Sequence, residues 1–142
     1  MANPGPASAT TIHPQSLGTN QAYRLLGYAT GVSLAATGDV ASFNVINSST
    51  YNITNVVITN ANKNVSAGYL AIWTGPAGTG TEIVTNAALT SNTSSAYVTK
   101  STVVSATGTA NLSAQTFYVN VGTAVSGGTV DIYIYGTDFS TF

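Results

Sequence analysis

Few side chains in this sequence could perform acid–base or nucleophilic chemistry. The 142 residues include one histidine, four acidic residues and no cysteine. His13 stands beside Pro14, and no neighbouring residue is placed to orient it as the base of a nucleophilic pair. A glycosidase would need two carboxylates that meet in a cleft, and the spacing of the acidic residues favours no pair. We therefore expect no enzymatic activity. The acidic residues are Asp39, Glu82, Asp131 and Asp138.

Sites for metals, phosphates and cofactors are equally hard to place. Without cysteine there is no thiolate zinc site. Asp39 or Asp138 could join loop carbonyls around calcium, but the chain has no D-x-D-x-D-G loop. The glycine-rich stretch GPAGTG, residues 75–80, is followed neither by Gly-Lys-Ser/Thr nor by a predicted helix, so we interpret it as a turn. We expect no cofactor and no metal.

The composition favours assembly with other protein chains. Charged residues make up 5% of the chain, against about 25% in ordinary soluble domains, and the net charge is -1. Such a surface gains little solubility from mutual repulsion. Arg24, Lys63 and Lys100 are too few to follow a phosphate backbone, and no apolar run is long enough to span a membrane. We therefore expect neither nucleic acid nor membrane as a partner.

The first 21 residues differ from the rest of the chain. They are polar, contain three prolines and show no apolar periodicity, which predicts an extended N-terminal arm at residues 1–21 and one β-sandwich domain at residues 22–142. The arm either stays without fixed structure or becomes ordered on a neighbouring molecule. The start lacks the basic and apolar segments of a signal peptide, so we expect synthesis in a cytoplasm without Sec export.

Short apolar segments separated by Gly, Asn, Ser and Thr clusters predict an all-β sandwich or barrel. One short helical turn is predicted at residues 85–91, where two alanines precede a leucine, and a surface loop at residues 74–82. The predicted strands are residues 23–29, 32–36, 41–47, 51–60, 68–74, 82–85, 96–105, 116–121 and 129–135.

Two of these strands have aromatic side chains on the face opposite the predicted core. In GGTVDIYIYGTD, residues 127–138, alternation places Ile132 and Ile134 on one face and Tyr133 and Tyr135 on the other. If this strand and the strand at residues 68–74 share a sheet, their outer rings form one continuous surface, with a further tyrosine beside them. The candidate interface residues are Tyr69, Trp73, Tyr118, Tyr133 and Tyr135.

Three interpretations of this surface remain open. Tyrosines are favourable on exposed sheets because the ring covers the strand and the hydroxyl stays in water. Tyr and Trp are also enriched at protein interfaces, which the low charge favours here. A flat aromatic surface is also typical of carbohydrate binding, although only Asp131 supplies a nearby carboxylate.

The segments YNITNVVITNAN, GYLAIWTGPAGTGTEIVTNAAL and QTFYVNVGTAVSGGTVDIYIYGTDFS together resemble small β-sandwich structural proteins of tailed bacteriophage virions. The similarity covers residues 51–142, about two-thirds of the chain. The chain departs from it at Gly136, Thr137 and Asp138, where the family pattern often carries Gly-Asp-Asp, so the resemblance implies no ion site.

The resemblance implies a virion component, and we expect a jelly-roll-like antiparallel β-sandwich that forms a homotrimer. Its expected function is head decoration or cementing on the capsid surface, with the major capsid protein as partner and the bacterial cytoplasm as the place of synthesis. The alternative is a fibre or tail adhesin that binds host glycans. The N-terminal arm is expected to lie along the capsid. Its candidate contact residues are Ile12, His13, Pro14 and Leu17.

Overall fold

The computed structural model describes residues 23–101 and 103–140, which form two four-stranded antiparallel sheets around one hydrophobic core. The predicted N-terminal arm at residues 1–21 lies outside the described residues. The elements are β1 (Tyr23–Ser33), β2 (Gly38–Asn44), β3 (Tyr51–Thr59), β4 (Tyr69–Trp73), β5 (Glu82–Ala88), β6 (Thr99–Ser101), α1 (Ser105–Gly108), β7 (Thr116–Thr123) and β8 (Thr129–Asp138), with a 3-10 turn at Pro76–Gly78.

The strand order is that of a rolled-up hairpin. The first sheet has the order β1-β8-β3-β6 and the second sheet the order β2-β7-β4-β5. If the chain is drawn as one long hairpin with its tip between β4 and β5, the strands opposite each other are β1/β8, β2/β7, β3/β6 and β4/β5, and all four pairs occur. Rolling the hairpin adds the pairs β3/β8 and β4/β7. This arrangement is a jelly roll, so the predicted all-β, jelly-roll-like sandwich is confirmed.

The core consists of the inward-facing residues that alternation predicts. Ile132 and Ile134 of β8 are completely buried, as are Phe117 and Val119 of β7. The Phe117 ring packs edge-on against Tyr51, with centroids 5.9 Å apart. Burial raises the pKa of the Tyr51 phenol, whose hydroxyl donates a hydrogen bond of 2.5 Å to the Ala114 carbonyl. The phenol therefore stays neutral and ties the loop before β7 to the core.

Bulges account for the main differences between the predicted strands and those of the structure. The two strands predicted at residues 23–29 and 32–36 form the single strand β1, because a bulge between Ala29 and Val32 lets the chain continue through Gly31, which has a positive φ of 63°. A second bulge in β1 is centred on Leu26, and a bulge in β3 on Thr54. Both lie opposite the same part of β8, next to Tyr135.

Tertiary pairing overrides local propensity in two other segments. The helical turn predicted at residues 85–91 is wrong, because β5 continues to Ala88 and pairs with β4 through Leu70 and Tyr69. Of the strand predicted at residues 96–105, the described residues form a strand at Thr99–Ser101, and α1 begins at Ser105. Among the residues that the structure describes, no helix reaches the length and apolar character needed to cross a membrane.

Candidate functional site

Four tyrosines form two stacked pairs on the outer face of the first sheet. Tyr23 of β1 lies against Tyr135 of β8, and Tyr28 of β1 lies against Tyr133 of β8, with centroids 6.2 Å apart in both pairs and interplanar angles of 15° and 16°. We call these four residues the tyrosine ladder. Tyr23 is 58% exposed and Tyr28 is 49% exposed, while the two β8 rings are half-buried. The ladder is an aromatic surface whose two β1 rings stay exposed in the described part of the chain.

Only Tyr133 and Tyr135 of this ladder are predicted from the sequence. Tyr23 and Tyr28 are five residues apart, so strict alternation places them on opposite faces of a strand. The bulge at Leu26 adds one residue and turns both rings outward, which is why Tyr28 lies opposite Tyr133. A glycine within a strand, here Gly27, is the one sequence signal that indicates such a bulge.

The predicted single surface of five aromatic residues is wrong, because its residues belong to opposite faces of the sandwich. Tyr133 and Tyr135 lie on β8 of the first sheet. The other three predicted residues lie on β4 and β7 of the second sheet, where Trp73 pairs with Tyr118. In a rolled hairpin β8 is placed beside β1 and β3, so it cannot also lie beside β4. The three residues on the second sheet are Tyr69, Trp73 and Tyr118.

A loop of this chain covers part of Trp73. Residues 74–81 join β4 to β5, and the side of Gly78 that would bear a Cβ faces the indole at 3.8 Å from its Cε2. One carboxylate oxygen of Asp39 accepts a hydrogen bond of 2.6 Å from the Ala77 N–H, and the other accepts one of 2.9 Å from Asn120. These donors lower the pKa of Asp39, the Ala77 N–H most. Asp39 therefore holds the loop against the second sheet as long as its carboxylate is charged.

We expect the substitution Asp39→Ala to uncover Trp73. Without the acceptor for Ala77, the loop should open about fivefold more often, because a typical intramolecular hydrogen bond contributes about 1 kcal/mol. Trp73 is the only tryptophan, so its fluorescence reports this motion alone. The emission should move to longer wavelength and become more accessible to acrylamide.

Asp131 provides the matched control for this experiment. It also accepts two hydrogen bonds, from the Gly31 N–H at 2.7 Å and from Asn60 at 2.7 Å, but it lies on the first sheet. The substitution Asp131→Ala should therefore leave Trp73 emission unchanged. Equal spectra for Asp39→Ala and wild type would show that Asp39 does not hold the loop.

The buried polar cluster at the end of β8 is structural. Asp138 is completely buried and forms an ion pair of 2.7 Å with Arg24. Its other carboxylate oxygen accepts hydrogen bonds from the Ser48 hydroxyl at 2.8 Å and the Ser140 N–H at 2.9 Å. Burial by itself raises the pKa of Asp138, but the hydrogen bonds from Ser140, Arg24 and Ser48 outweigh it and lower the pKa to about 2. The charged carboxylate of Asp138 thus links the two ends of the described chain.

The acidic residues are spread over the molecule. Asp131 and Asp138 lie seven residues apart on β8, about 23 Å along the strand. Asp39 and Glu82 lie on β2 and β5, the opposite edges of the second sheet, and so at least about 14 Å apart. Within residues 23–101 and 103–140, no three acidic or histidine side chains come together as a metal site.

The predicted capsid-binding residues Ile12, His13, Pro14 and Leu17 lie outside the described residues. Their role therefore stays a prediction. The structure instead offers two outer faces of different character: the exposed tyrosine ladder on the first sheet, and the partly covered Trp73 with Tyr118 on the second.

Comparisons with known proteins add no family to this description. No family model matches the chain, and neither the curated proteins nor the solved structures include one with significant similarity to it.

Proposed function

We propose that this protein is a non-enzymatic structural component of a bacteriophage virion, a decoration or cement protein on the capsid surface. The observation that carries the proposal is the tyrosine ladder, an exposed aromatic surface on a domain with almost no charge. Tyr is enriched at protein interfaces because it combines a large apolar area with a polar hydroxyl. The partners are further copies of this chain and the major capsid protein.

The geometry of the rings supports a protein partner. In each pair the two rings are nearly parallel with centroids 6.2 Å apart, so four aromatic side chains lie together on one outer face. Tyrosine rings with their hydroxyls suit a mixed apolar and hydrogen-bonding protein surface. The Tyr23 hydroxyl already donates a hydrogen bond of 2.8 Å to Asn55, which holds the outermost ring in place. A fixed ring loses little conformational entropy when it is covered.

The jelly roll and the low charge also fit a coat role. Jelly rolls occur in viral capsid proteins, although they occur in lectins as well, so the fold alone does not decide. A net charge of -1 allows many copies to lie side by side without strong repulsion. Repeated weak contacts on one shell then give strong overall attachment. We propose a closed homotrimer as the attached unit, because decoration of a symmetric shell favours symmetric oligomers.

Association of the purified protein tests this proposal. Multi-angle light scattering should give a mass about three times the 14.4 kDa of one chain. The substitution Tyr28→Ser removes one exposed ring of the ladder and should weaken self-association or capsid binding by about tenfold, because buried interface aromatics commonly contribute more than 1 kcal/mol. Binding is measured by co-sedimentation with empty heads of tailed phages.

Tyr97 supplies the matched control. It is exposed to a similar degree, 56%, but lies in the loop before β6 and outside the ladder. Tyr97→Ser should behave as wild type in both measurements. A monomer that binds no head, or equal effects of Tyr28→Ser and Tyr97→Ser, would contradict the proposed role of the ladder.

The second candidate function is a fibre or tail adhesin that binds host glycans. The observation that favours it is the outer face of the second sheet, where Trp73 and Tyr118 lie beside Asn120 and Asp39. Aromatic rings next to an amide and a carboxylate provide both stacking and hydrogen bonds for a sugar. On this view the loop at residues 74–81 shapes one side of the sugar site.

A glycan array separates the two candidates because they use opposite faces. An adhesin should bind a defined glycan, and Trp73→Ala should abolish this binding while Tyr28→Ser leaves it intact. A decoration protein should give no array signal, and its association should depend on Tyr28 rather than Trp73.

A further inference from the structure

The tyrosine ladder has uncharged neighbours and unpaired hydroxyl groups. On β3, Asn55 lies opposite Tyr135 and Val57 lies opposite Tyr133. Within the described residues, the hydroxyls of Tyr28, Tyr133 and Tyr135 form no hydrogen bond. Tyrosine rings supply apolar area, and their hydroxyls can donate to backbone carbonyls. The ladder therefore suits an uncharged occupant that brings apolar side chains together with unpaired carbonyl groups.

The sequence supplies such a segment directly beside the ladder. Residues 1–22 precede Tyr23, which is itself a ladder residue, and they contain no Asp, Glu, Lys or Arg. Apart from the first residue, their only large apolar side chains are Ile12 and Leu17, on either side of Pro14. A tethered segment has an effective concentration in the millimolar range. The chain's own residues 12–17 are therefore the occupant nearest to hand.

The spacing of this segment matches the spacing of the ladder. Proline favours the polyproline II conformation, whose carbonyls are unpaired and in which residues three apart lie on the same side, about 9 Å from each other. Pro14 and Leu17 have this spacing. The two stacked pairs are two residues apart on β8, at Tyr133 and Tyr135, and so about 7 Å apart. One side of the segment can therefore contact both pairs.

From these observations we propose that residues 12–17 double back over the ladder of their own chain, and we call these six residues the strap. Five residues remain between the strap and Tyr23, and Gly18 and Asn20 among them favour a turn. Leu17 then lies on the stacked pair at the start of β1, and Pro14 lies on the other pair. Docking of proline-containing segments on aromatic surfaces is a common mode of recognition, because such segments lose little entropy on binding.

The strap regulates the surface that the proposed function uses, and in this respect the inference rests on that function. A second copy or a capsid protein can cover the ladder only after the strap has left it. The strap therefore weakens association in proportion to the fraction of molecules in which it is docked. It also covers an aromatic surface that would otherwise favour unspecific contacts in the free protein.

NMR on the full chain tests the contact directly. The methyl protons of Leu17 should give nuclear Overhauser cross-peaks with the ring protons of Tyr135. A sample made from equal amounts of isotope-labelled and unlabelled chain, mixed before refolding from urea, shows whether the contact is within one chain. An isotope-filtered spectrum of this sample, which selects contacts between copies, should contain no such cross-peak. A cross-peak in the filtered spectrum would assign the strap to the ladder of a second copy and would overturn the proposal.

Acetylation of Tyr28 by N-acetylimidazole measures how often the ladder is covered. Trypsin then releases residues 25–63, in which the other tyrosine is the completely buried Tyr51, so the modified peptide reports Tyr28 alone. The double variant Pro14→Ser, Leu17→Ser should be acetylated about fivefold faster than the wild type, as expected when a leucine side chain and a proline ring lose a partly buried contact.

The matched control removes two prolines outside the strap. The double variant Pro4→Ser, Pro6→Ser should be acetylated at the wild-type rate, because neither residue contacts the ladder. Equal rates for both double variants and the wild type, or no cross-peak from Leu17, would overturn the proposal.

Light scattering over a range of concentrations separates this proposal from the proposed function. Without a docked strap, Pro14→Ser, Leu17→Ser should associate at about fivefold lower concentration than the wild type. Weaker association of this variant would mean that the segment joins copies and would count against the strap, even where Tyr28→Ser supports the proposed function. Conversely, cross-peaks within one chain together with equal association of Tyr28→Ser and Tyr97→Ser would support the strap and contradict the proposed function.

Discussion

Replacing Asp138 by alanine is expected to destabilise the fold by about 3 kcal/mol, since removing one member of a buried ion pair leaves the other without compensation. Asp138 is completely buried, and among the described residues Arg24 would keep the carbonyl acceptors Leu25, Ile46 and Asn47. The two partners are 114 residues apart in sequence, so the pair also joins β1 to the end of β8. Urea unfolding measures the effect as a lower midpoint with an unchanged slope.

The same carboxylate should make the fold sensitive to acid. The pKa of Asp138 is lowered from 3.8 to about 2 in the folded protein, so its stabilising contribution is complete above the unfolded value and is lost as the pH falls through the folded value. Between pH 5 and pH 2 this loss amounts to about 2 kcal/mol. Urea unfolding at pH 5, 3.5 and 2 should give falling midpoints for the wild type. The loss of unfolding free energy between pH 5 and pH 2 should be smaller in Asp138→Ala by about 2 kcal/mol.

Asp131→Ala is the matched control for Asp138→Ala. Asp131 also lies on β8 and accepts two hydrogen bonds, but these come from exposed groups, the Gly31 N–H at a bulge of β1 and the Asn60 side chain just after β3. Its removal should cost less than about 1 kcal/mol, as for most exposed polar contacts. Equal costs at the two positions would mean that the buried pair contributes nothing beyond ordinary surface hydrogen bonds.

The second large effect is expected for Gly136→Ala. A Cβ at Gly136 would lie 2.0 Å from the Asn52 carbonyl oxygen and 2.7 Å from Leu26 Cδ1. The carbonyl belongs to the backbone of β3 and cannot rotate away, so the strand itself would have to move. We expect a loss of at least about 3 kcal/mol, at the upper end of overpacking effects, and a melting temperature lower by about 10 °C.

Gly108→Ala tests whether the loss is specific to the crowded site. A Cβ at Gly108 meets nothing within 4 Å. Alanine is also preferred over glycine in a helix such as α1, so thermal unfolding should occur at the same or a slightly higher temperature. A Gly136→Ala protein that melts within 2 °C of the wild type would show that β3 does not approach β8 as closely as described.

The sequence predicted the strands and their inward faces because those depend on local alternation. Ile132 and Ile134 point inward, as do Phe117 and Val119, since each lies in a regular strand with a period of two. Where the period is broken, the prediction fails. The bulges at Leu26 and Thr54 shift the inward and outward faces by one residue. They can be recognised only from the pairing of β1 and β3 with β8.

The membership of strands in sheets could not be read from the sequence. Alternation shows which side of β4 and β8 is apolar but not which strand lies beside which. The two outer aromatic groups therefore looked like one surface, although the rolled hairpin places them on opposite faces. The burial of Ser101, whose hydroxyl forms no hydrogen bond within the described residues, was also missed, because a serine in a short strand gives no sign of it.

The central position of β8 has a consequence for how the chain acquires its structure. β8 is the last strand in the described part of the chain, yet it lies between β1 and β3, and Tyr23 pairs with Thr137. On a ribosome β1 and β3 are therefore made long before the strand that joins them, and until then both expose unpaired backbone edges. Such distant pairing is slow because a long loop must close first. Nascent chains that stop before β8 should consequently be prone to aggregation and should require chaperones, whereas chains that include β8 complete the first sheet in one late step.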